Sequence, residues 1–536
     1  MKNNKPWISQ YPAGVQENVD VAPVASVVGL LEEALARHAD RPAVTSMGRT
    51  TSFAELDALS QRFAGWLQSV GTTKGGRVAV MMPNLMPFAI SVLGTLRVGG
   101  TVVTINPLYT PRELNHQLRD SGAETLVVFE AFAGTVAQGL EGTAIQRIVL
   151  VGNGASGIQL PGQLPFAEAL QAGAQAGFKR VEIAGSDLAF LQYTGGTTGV
   201  SKGAMLTHAN IVANVMQASS WMSPCLPDMQ SMGRNIVSFL PLYHIFALTF
   251  CLMYGLRQGL HNLMIANPRD LPGAVKEIGG LPIHVFPAVN TLFGGLAQHK
   301  PLLDQLNLSE LLLCVGGGMA VQQGVAERWL AATGVPICEG YGLSETSPLA
   351  SCNPVTNTQW TGTIGLPVSN TEFAIRDDEG ADVALGERGE ICIRGPQVMA
   401  GYWQRADETA KVMTPDGFFK TGDIGVMDEQ GFVKIVDRKK DMILVSGFNV
   451  FPNEIEDVAS MLPGVAESAC IGVPDEKTGE AIKLFIVKSR PELTLEEVQA
   501  HCRKNLTGYK NPRQVVFLDA LPKSTVGKIL RRELRG

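Results

Sequence analysis

Between Tyr193 and His208 the sequence reads YTGGTTGVSKGAMLTH, and its residue types suit the holding of an anion. Gly195, Gly196 and Gly199 let the backbone approach a ligand closely, Thr194, Thr197 and Thr198 offer hydroxyl donors, and Lys202 supplies a mobile positive charge. DLAFLQ before the loop has the texture of a short buried strand, and THANIVANVMQ after it that of a helix. Strand, glycine loop and helix in succession would aim backbone N–H groups and a helix N-terminus at a polyphosphate. The spacing is not GxxxxGKS/T, so Walker-type NTPase chemistry is not indicated. Taken alone, the loop reads equally well as a phosphate cradle or as a structural turn.

The elements that must position such a loop are legible around it. TSFAELDALSQRFAGWLQSVG is amphipathic, with Ser52 and Glu55 at capping-box spacing and Gly71 as a stop. RVAVMM then reads as a buried strand, followed by a helix from about Leu85 to Val98, the strand TVVTI, the helix PRELNHQLRDSG and the strand ETLVVF. This alternation predicts a twisted parallel sheet with helices on its faces. Toward the C-terminus the texture changes. GFVKIVDRKKDMILVSGFNVFPNEIEDV runs from a strand into five consecutive charged residues, 437–441, an exposed hinge or a simple hairpin turn. VAESACIGVPD, EAIKLFIVKS and LTLEEVQAHCRKNL beyond it form a small α+β unit. The expected fold is α/β: a large N-terminal domain, 1–437, of doubly wound sheets with helices plus a β-rich subdomain, and a small mobile α+β C-terminal domain, 438–536.

Bulk properties narrow the function. The chain has 536 residues, 45% hydrophobic and 18% charged, which fits two globular units and excludes disorder. A formal net charge of −6 gives no basic face for nucleic acid. Only the C-terminus is locally basic, where Lys523, Lys528, Arg531, Arg532 and Arg535 are opposed by Glu533 alone. The eight cysteines have no CxxC spacing and mostly apolar neighbours, so reduced, buried thiols in a cytoplasmic protein are expected. MKNNKPWISQYPAG has no apolar core of a signal peptide. NIVSFLPLYHIFALTFCLMYGL, residues 235–256, carries no Asp, Glu, Lys or Arg and is long enough to span a bilayer, but Pro241 and His244 interrupt it. A buried interior element is the expectation, and peripheral membrane contact stays open.

The loop does not stand alone. YTGGTTGVSKG resembles the phosphate loop of the adenylate-forming enzymes, the superfamily of acyl-CoA synthetases, luciferases and peptide-synthetase adenylation domains. The other motifs of that superfamily follow in order: YGLSET at 341–346, GEICIRG at 389–395, KTGDIG at 420–425, DRKKDMILVSGFNVFPNEIE at 437–456 and PKSTVGKILRREL at 522–534. Through MMPN, NPLYTPRELNHQL and PLYHIFAL the resemblance extends essentially end to end, and is closest to bacterial long-chain fatty-acid–CoA ligases. Ser201 departs from the proline that many members have before the lysine, and Ser344 stands where threonine is commoner.

The resemblance implies a two-step reaction. A carboxylate attacks the α-phosphate of ATP to give acyl-AMP and pyrophosphate, and the thiol of CoA then displaces AMP. It places the β- and γ-phosphates in the 194–202 loop on Lys202, Mg²⁺ on Glu345 and the α-phosphate near Ser344. It stacks adenine on Tyr341, with Gly340 and Gly342 allowing close approach and Gly316, Gly317 and Gly318 as the opposite wall. Asp423 would take the ribose hydroxyls and Arg438 the ribose or phosphates. Lys528 would be the mobile catalytic lysine and Lys440 the hinge, about which the 445–449 loop, with Gly447 and Phe448, replaces Lys528 at a CoA tunnel. Tyr243, His244, Phe246, Leu248, Val289, Asn290 and Met319 would line the acyl pocket, with His244 near the carboxylate. The absence of an acidic residue from 235–256 disfavours an amino-acid substrate, whose ammonium would be buried unpaired. Fatty acid, ATP and CoA are thus the expected small-molecule partners. A medium-chain or aryl acid–CoA ligase, a carrier-protein acceptor and a non-catalytic nucleotide-binding protein are the alternatives.

Overall fold

The computed structural model describes residues 5–21, 24, 26–194, 201–226, 233–438, 441–446, 448–475, 477–524 and 527–535. Of the expected site residues, Gly195, Gly196, Thr197, Thr198, Gly199, Lys440 and Gly447 lie outside the described residues, as does the side chain of Arg438.

Two large sheets dominate the fold. The seven-stranded sheet runs in the order Gln163–Pro165, Arg147–Val151, Thr125–Phe129, Arg77–Met81, Thr101–Ile105, Leu188–Thr194 and Lys202–Thr207. All its neighbours are parallel except the last pair. All five residues of Thr101–Ile105 are buried, as a central parallel strand covered on both faces should be. Its helices start where their caps place them. Ser52 and Glu55 close the N-terminus of Phe53–Ser69 reciprocally, and Thr110 and Glu113 do the same for Pro111–Ser121.

The nine-stranded sheet has a parallel centre, Ile337–Gly342, Leu313–Gly316, Val285–Ala288, Asn235–Ser238, His261–Met264 and Pro42–Ser46, with antiparallel strands at both edges. A four-stranded antiparallel sheet, Glu372–Arg376, Arg388–Arg394, Phe419–Met427 and Val433–Arg438, forms the β-rich part. A five-stranded mixed sheet, built around Val465–Asp475 and Gly479–Lys488, forms the small C-terminal domain. The architecture is therefore α/β, with a large N-terminal and a small C-terminal domain.

The glycine loop differs from expectation. It joins Leu188–Thr194 not to a helix but to an antiparallel strand, Lys202–Thr207. Ala204 and Leu206 of KGAMLT are buried, so the segment adds an edge strand before the helix His208–Met222 begins. That helix closes its own N-terminus through Thr207 and Asn210. A six-residue strand is about 20 Å long, so the helix N-terminus is set back from the glycine loop rather than following it directly.

The apolar stretch 235–256 is interior. Asn235–Ser238 is a central strand, and Ala247–Tyr254 is a fully buried π-helical segment. Phe246, Phe250 and Tyr254 stand in succession along it, with ring centroids 6.2 and 4.8 Å apart. Among the described residues no helix is long and apolar enough to cross a membrane. Seven of the eight cysteines are buried, Cys225 is half-buried, and all are free thiols.

Candidate active site

The parallel strands Val285–Ala288, Leu313–Gly316 and Ile337–Gly342 end side by side, and each is followed by a segment singled out in the sequence. Ligands of open α/β sheets bind at such carboxyl ends. The contacts there are tight. A Cβ on Gly317 would lie 3.1 Å from the carbonyl oxygen of Gly340 and 3.1 Å from Cε1 of Phe246, so three motifs meet on one glycine. A Cβ on Gly318 would lie 3.6 Å from Cε of Lys528 and 3.6 Å from Cγ1 of Val289. The Lys528 loop thus rests on the glycine wall although 210 positions separate the two in the numbering of the chain. Thr291 Oγ1 reaches the carbonyl of Gly527 at 3.5 Å, and Ser524 Oγ accepts from the N–H of Lys528 at 3.1 Å.

Tyr341 and Asp423 are brought together: the Tyr341 hydroxyl donates to Oδ2 of the buried Asp423 at 2.6 Å. Asp423 stands opposite Arg438 in the antiparallel ladder. Gly340 and Gly342 differ in their reasons for being glycine. A Cβ on Gly342 would sit 1.7 Å from the carbonyl oxygen of Pro348, whereas one on Gly340 would come no nearer than 3.3 Å to Leu349 Cδ1. Gly342 therefore admits a crossing of the protein's own backbone, a constraint independent of any ligand.

Glu345 follows in the short 3₁₀ turn Ser344–Thr346 and is buried. Its Oε1 accepts from the hydroxyl of Tyr402 at 2.7 Å. The Lys202 ammonium lies 5.0 Å from the centroid of the Tyr402 ring and forms an ion pair with Glu408. Ser201, the departure from the usual proline, donates its hydroxyl to the carbonyl of Thr194 at 2.8 Å and ties the ends of the loop together. Tyr402, Glu408 and Thr291 are residues that motif reading missed. No motif in the sequence marks them, since each acts by touching residues of other motifs.

His244 is neutral. Burial, with the positive charge of Lys528 as a second cause, pushes its imidazole down to about 3. The Phe246 N–H donates to Nδ1 at 3.3 Å, so the ring proton sits on Nε2, which is a hydrogen-bond donor. Of the other expected acyl-pocket residues, Leu248 is fully buried and Tyr243 and Met319 are partly exposed. Asn290 exchanges hydrogen bonds with Gln322, accepting from its backbone N–H at 3.0 Å and donating to its Oε1 at 3.3 Å, so its amide serves the fold. Cavities of about 350 Å³, beside Cys225, Glu339 and Trp360, and about 260 Å³, beside Lys74, Arg77 and Trp403, include none of the expected acyl-pocket residues. Phe448 is exposed and stacks on Tyr509 at 4.7 Å.

The structure thus gathers the 316–318 glycines, Tyr341 and Lys528 from separate motifs at the carboxyl ends of the parallel strands. The match to family models is correspondingly broad: the AMP-binding enzyme domain covers residues 31–403 and the AMP-binding enzyme C-terminal domain residues 454–528. The chain belongs to this family of AMP-binding, adenylate-forming enzymes. It is 49% identical over 554 aligned positions to the long-chain-fatty-acid–CoA ligase of Escherichia coli O157:H7, covering 99% of this chain and 98% of that protein. Among solved structures it is similar to the anthranilate CoA ligase AuaEII in complex with anthranoyl-AMP, with a TM-score of 0.87 and 25% identity over 96% of this chain and 98% of that one. ATP-bound MatB from Rhodopseudomonas palustris gives a TM-score of 0.83 and 29% identity over 95% and 98%.

Two outcomes follow from this geometry. Gly342→Ala costs about 1–3 kcal/mol of stability, the usual range for forced overpacking, and Gly340→Ala costs less, as chemical denaturation of the two variants will read. His244 contributes stability fully above its unfolded value near 6.5 and loses it as pH falls toward 3, because the unfolded chain then binds the extra proton. His208 and His261, both pushed to about 4 by burial, act in the same window. The thermal midpoint of His244→Gln therefore falls less between about pH 6.5 and about pH 4 than that of the wild type, without becoming flat.

Proposed function

We propose that the protein is a long-chain fatty-acid–CoA ligase. In the first step a carboxylate oxygen of the fatty acid attacks the α-phosphorus of ATP, the bond from that phosphorus to the bridging oxygen breaks, and pyrophosphate leaves. In the second the CoA thiol, giving up its proton, attacks the acyl carbonyl, and AMP departs with the electron pair of the anhydride bond. The observation that carries the reading is the meeting of Lys528 with Gly318 beside the Tyr341–Asp423 pair, in a chain similar from end to end to a long-chain ligase.

The roles follow from charge. Adenylation needs positioning and charge neutralisation more than acid–base chemistry. Lys202 takes the terminal phosphates with the 194–199 loop, and Ser344 faces the α-phosphate. Tyr341 stacks on adenine against Gly316, Gly317 and Gly318, and Asp423 and Arg438 hold the ribose. Lys528 stands where negative charge collects as carboxylate and α-phosphate meet, and His244 offers Nε2–H without adding a charge. Among the described residues no three His, Cys, Asp or Glu side chains form a metal cage. A single buried carboxylate fits Mg²⁺ well nevertheless, since that ion is commonly held by one or two carboxylates together with substrate phosphates. Glu345 is that carboxylate, and the cation would supply charge neutralisation to the polyphosphate.

The two lobes divide after Asp437. Lys528 lies against Gly318, an arrangement that suits the first step. Rotation about Lys440 would withdraw it and bring the 445–449 loop, with Phe448, to the CoA side, a gating role familiar for domain motion. The acyl chain would run along Tyr243, Phe246, Leu248, Val289 and Met319, with no buried acid to receive an ammonium. Action in the cytoplasm, with peripheral contact at the inner face of the membrane, belongs to the same proposal.

The steps are separable by assay. Lys528→Ala lowers acyl-AMP formation by about two to three orders of magnitude, the scale for removing a transition-state donor, while thioester formation from supplied acyl-AMP persists. Normal adenylation by this variant would remove Lys528 from its role. With ATP, Mg²⁺ and CoA, AMP release across acids from acetate to oleate peaks on long chains, and a maximum on octanoate or a cinnamate would overturn that preference. Pyrophosphate–ATP exchange dependent on fatty acid tests the adenylate itself, and its absence would end the reading.

A further inference from the structure

We propose that Glu408 is the resting counter-ion of Lys202, a positioning residue that holds the phosphate-loop lysine until a polyphosphate displaces it and so tunes affinity for ATP and pyrophosphate. The inference rests on the assignment of Lys202 to the terminal phosphates.

The geometry is specific. Glu408 lies on the helix Ala406–Val412 and pairs through Oε2 with the Lys202 ammonium, while Oε1 accepts from Lys411 at 2.5 Å. The same ammonium sits over the face of Tyr402, whose hydroxyl donates to Glu345. Glu408, Lys202, Tyr402 and Glu345 therefore form one continuous row, with the lysine tethered at one end of it and the proposed cation ligand at the other. The side chains of Lys202 and Glu408 are 33% and 27% exposed, so the pair is open to exchange rather than locked in the core. An ammonium on a four-carbon stem is a mobile point charge and changes partners readily. The two lysines hold the Glu408 carboxyl down to about 2, so it stays ionised over the working range.

A triphosphate carries more charge than a carboxylate and wins the lysine, but against competition. As pyrophosphate leaves, Glu408 takes the lysine back. The pair opposes binding at one end of the catalytic cycle and assists release at the other.

Glu408→Gln, which keeps shape and removes charge, is expected to lower KM for magnesium–ATP and tighten binding of inorganic pyrophosphate. Each changes by about two- to five-fold, the scale of a partly exposed ion pair, with no rise in kcat at saturating ATP. Glu408→Asp returns both toward wild type. On a Lys202→Met background the same Glu408→Gln change leaves ATP and pyrophosphate binding unaltered. Calorimetric titration of the full chain with each ligand gives affinity independently of turnover. Unchanged or weaker binding by Glu408→Gln, or an effect that survives in Lys202→Met, overturns the proposal. So does a fall in melting temperature and kcat together without tighter binding. Failure of the functional reading is distinct, because it appears as wild-type protein that makes no acyl-AMP.

Discussion

Two anions have to be brought into contact, a fatty carboxylate and a nucleoside triphosphate, and like charges at such distances repel strongly once water is removed. This constraint organises the site. In the proposed site, positive charge comes from Lys202 at one end and Lys528 at the other. The imidazole nearest Lys528 is kept neutral, so that it adds a donor without a further charge to bury. The Tyr402 hydroxyl donates to the buried carboxylate of Glu345 at 2.7 Å, as a group in low dielectric requires.

The two lysines belong to different parts of the molecule. Lys202 begins a strand of the seven-stranded sheet. Lys528 is carried by the small domain, whose core forms around Gly479–Lys488 and its partner strands. A site assembled from two bodies can be taken apart again, which is what the proposed alternation between the two half-reactions uses. Contacts between the two domains include Gly527 against Val289 and Thr291, and Arg388 over the ring of Phe451. A broad apolar seam would have been harder to reopen.

Much of this organisation was legible in the sequence because it rests on local rules. The capping box at Ser52 set a helix start, and apolar runs such as TVVTI marked strands buried on both faces. The charge-free stretch 235–256 was rightly expected inside the protein. The strand Lys202–Thr207 after the glycine loop was not read because KGAMLT is short and contains glycine and lysine. Its strand character comes from pairing with Leu188–Thr194 rather than from its own pattern. Tyr402 and Glu408 were invisible for a related reason: a residue that acts by touching two other motifs has no pattern of its own. The cause for glycine at position 342, the carbonyl of Pro348, is a tertiary crossing that no spacing rule reports.

The segment after Lys528 is stapled to the small domain. Arg531 forms a forked pair with Glu456 at 2.8 Å and lies 3.6 Å from Asp441, and Arg535 reaches Asp441 at 3.1 Å. These pairs tie the last turn of the chain to Asp441 and to the helix Pro452–Ser460. An affinity tag or fusion partner appended beyond Arg535 therefore hangs from the small domain. One placed ahead of Trp7, which packs in the core of the large domain, loads the large domain instead.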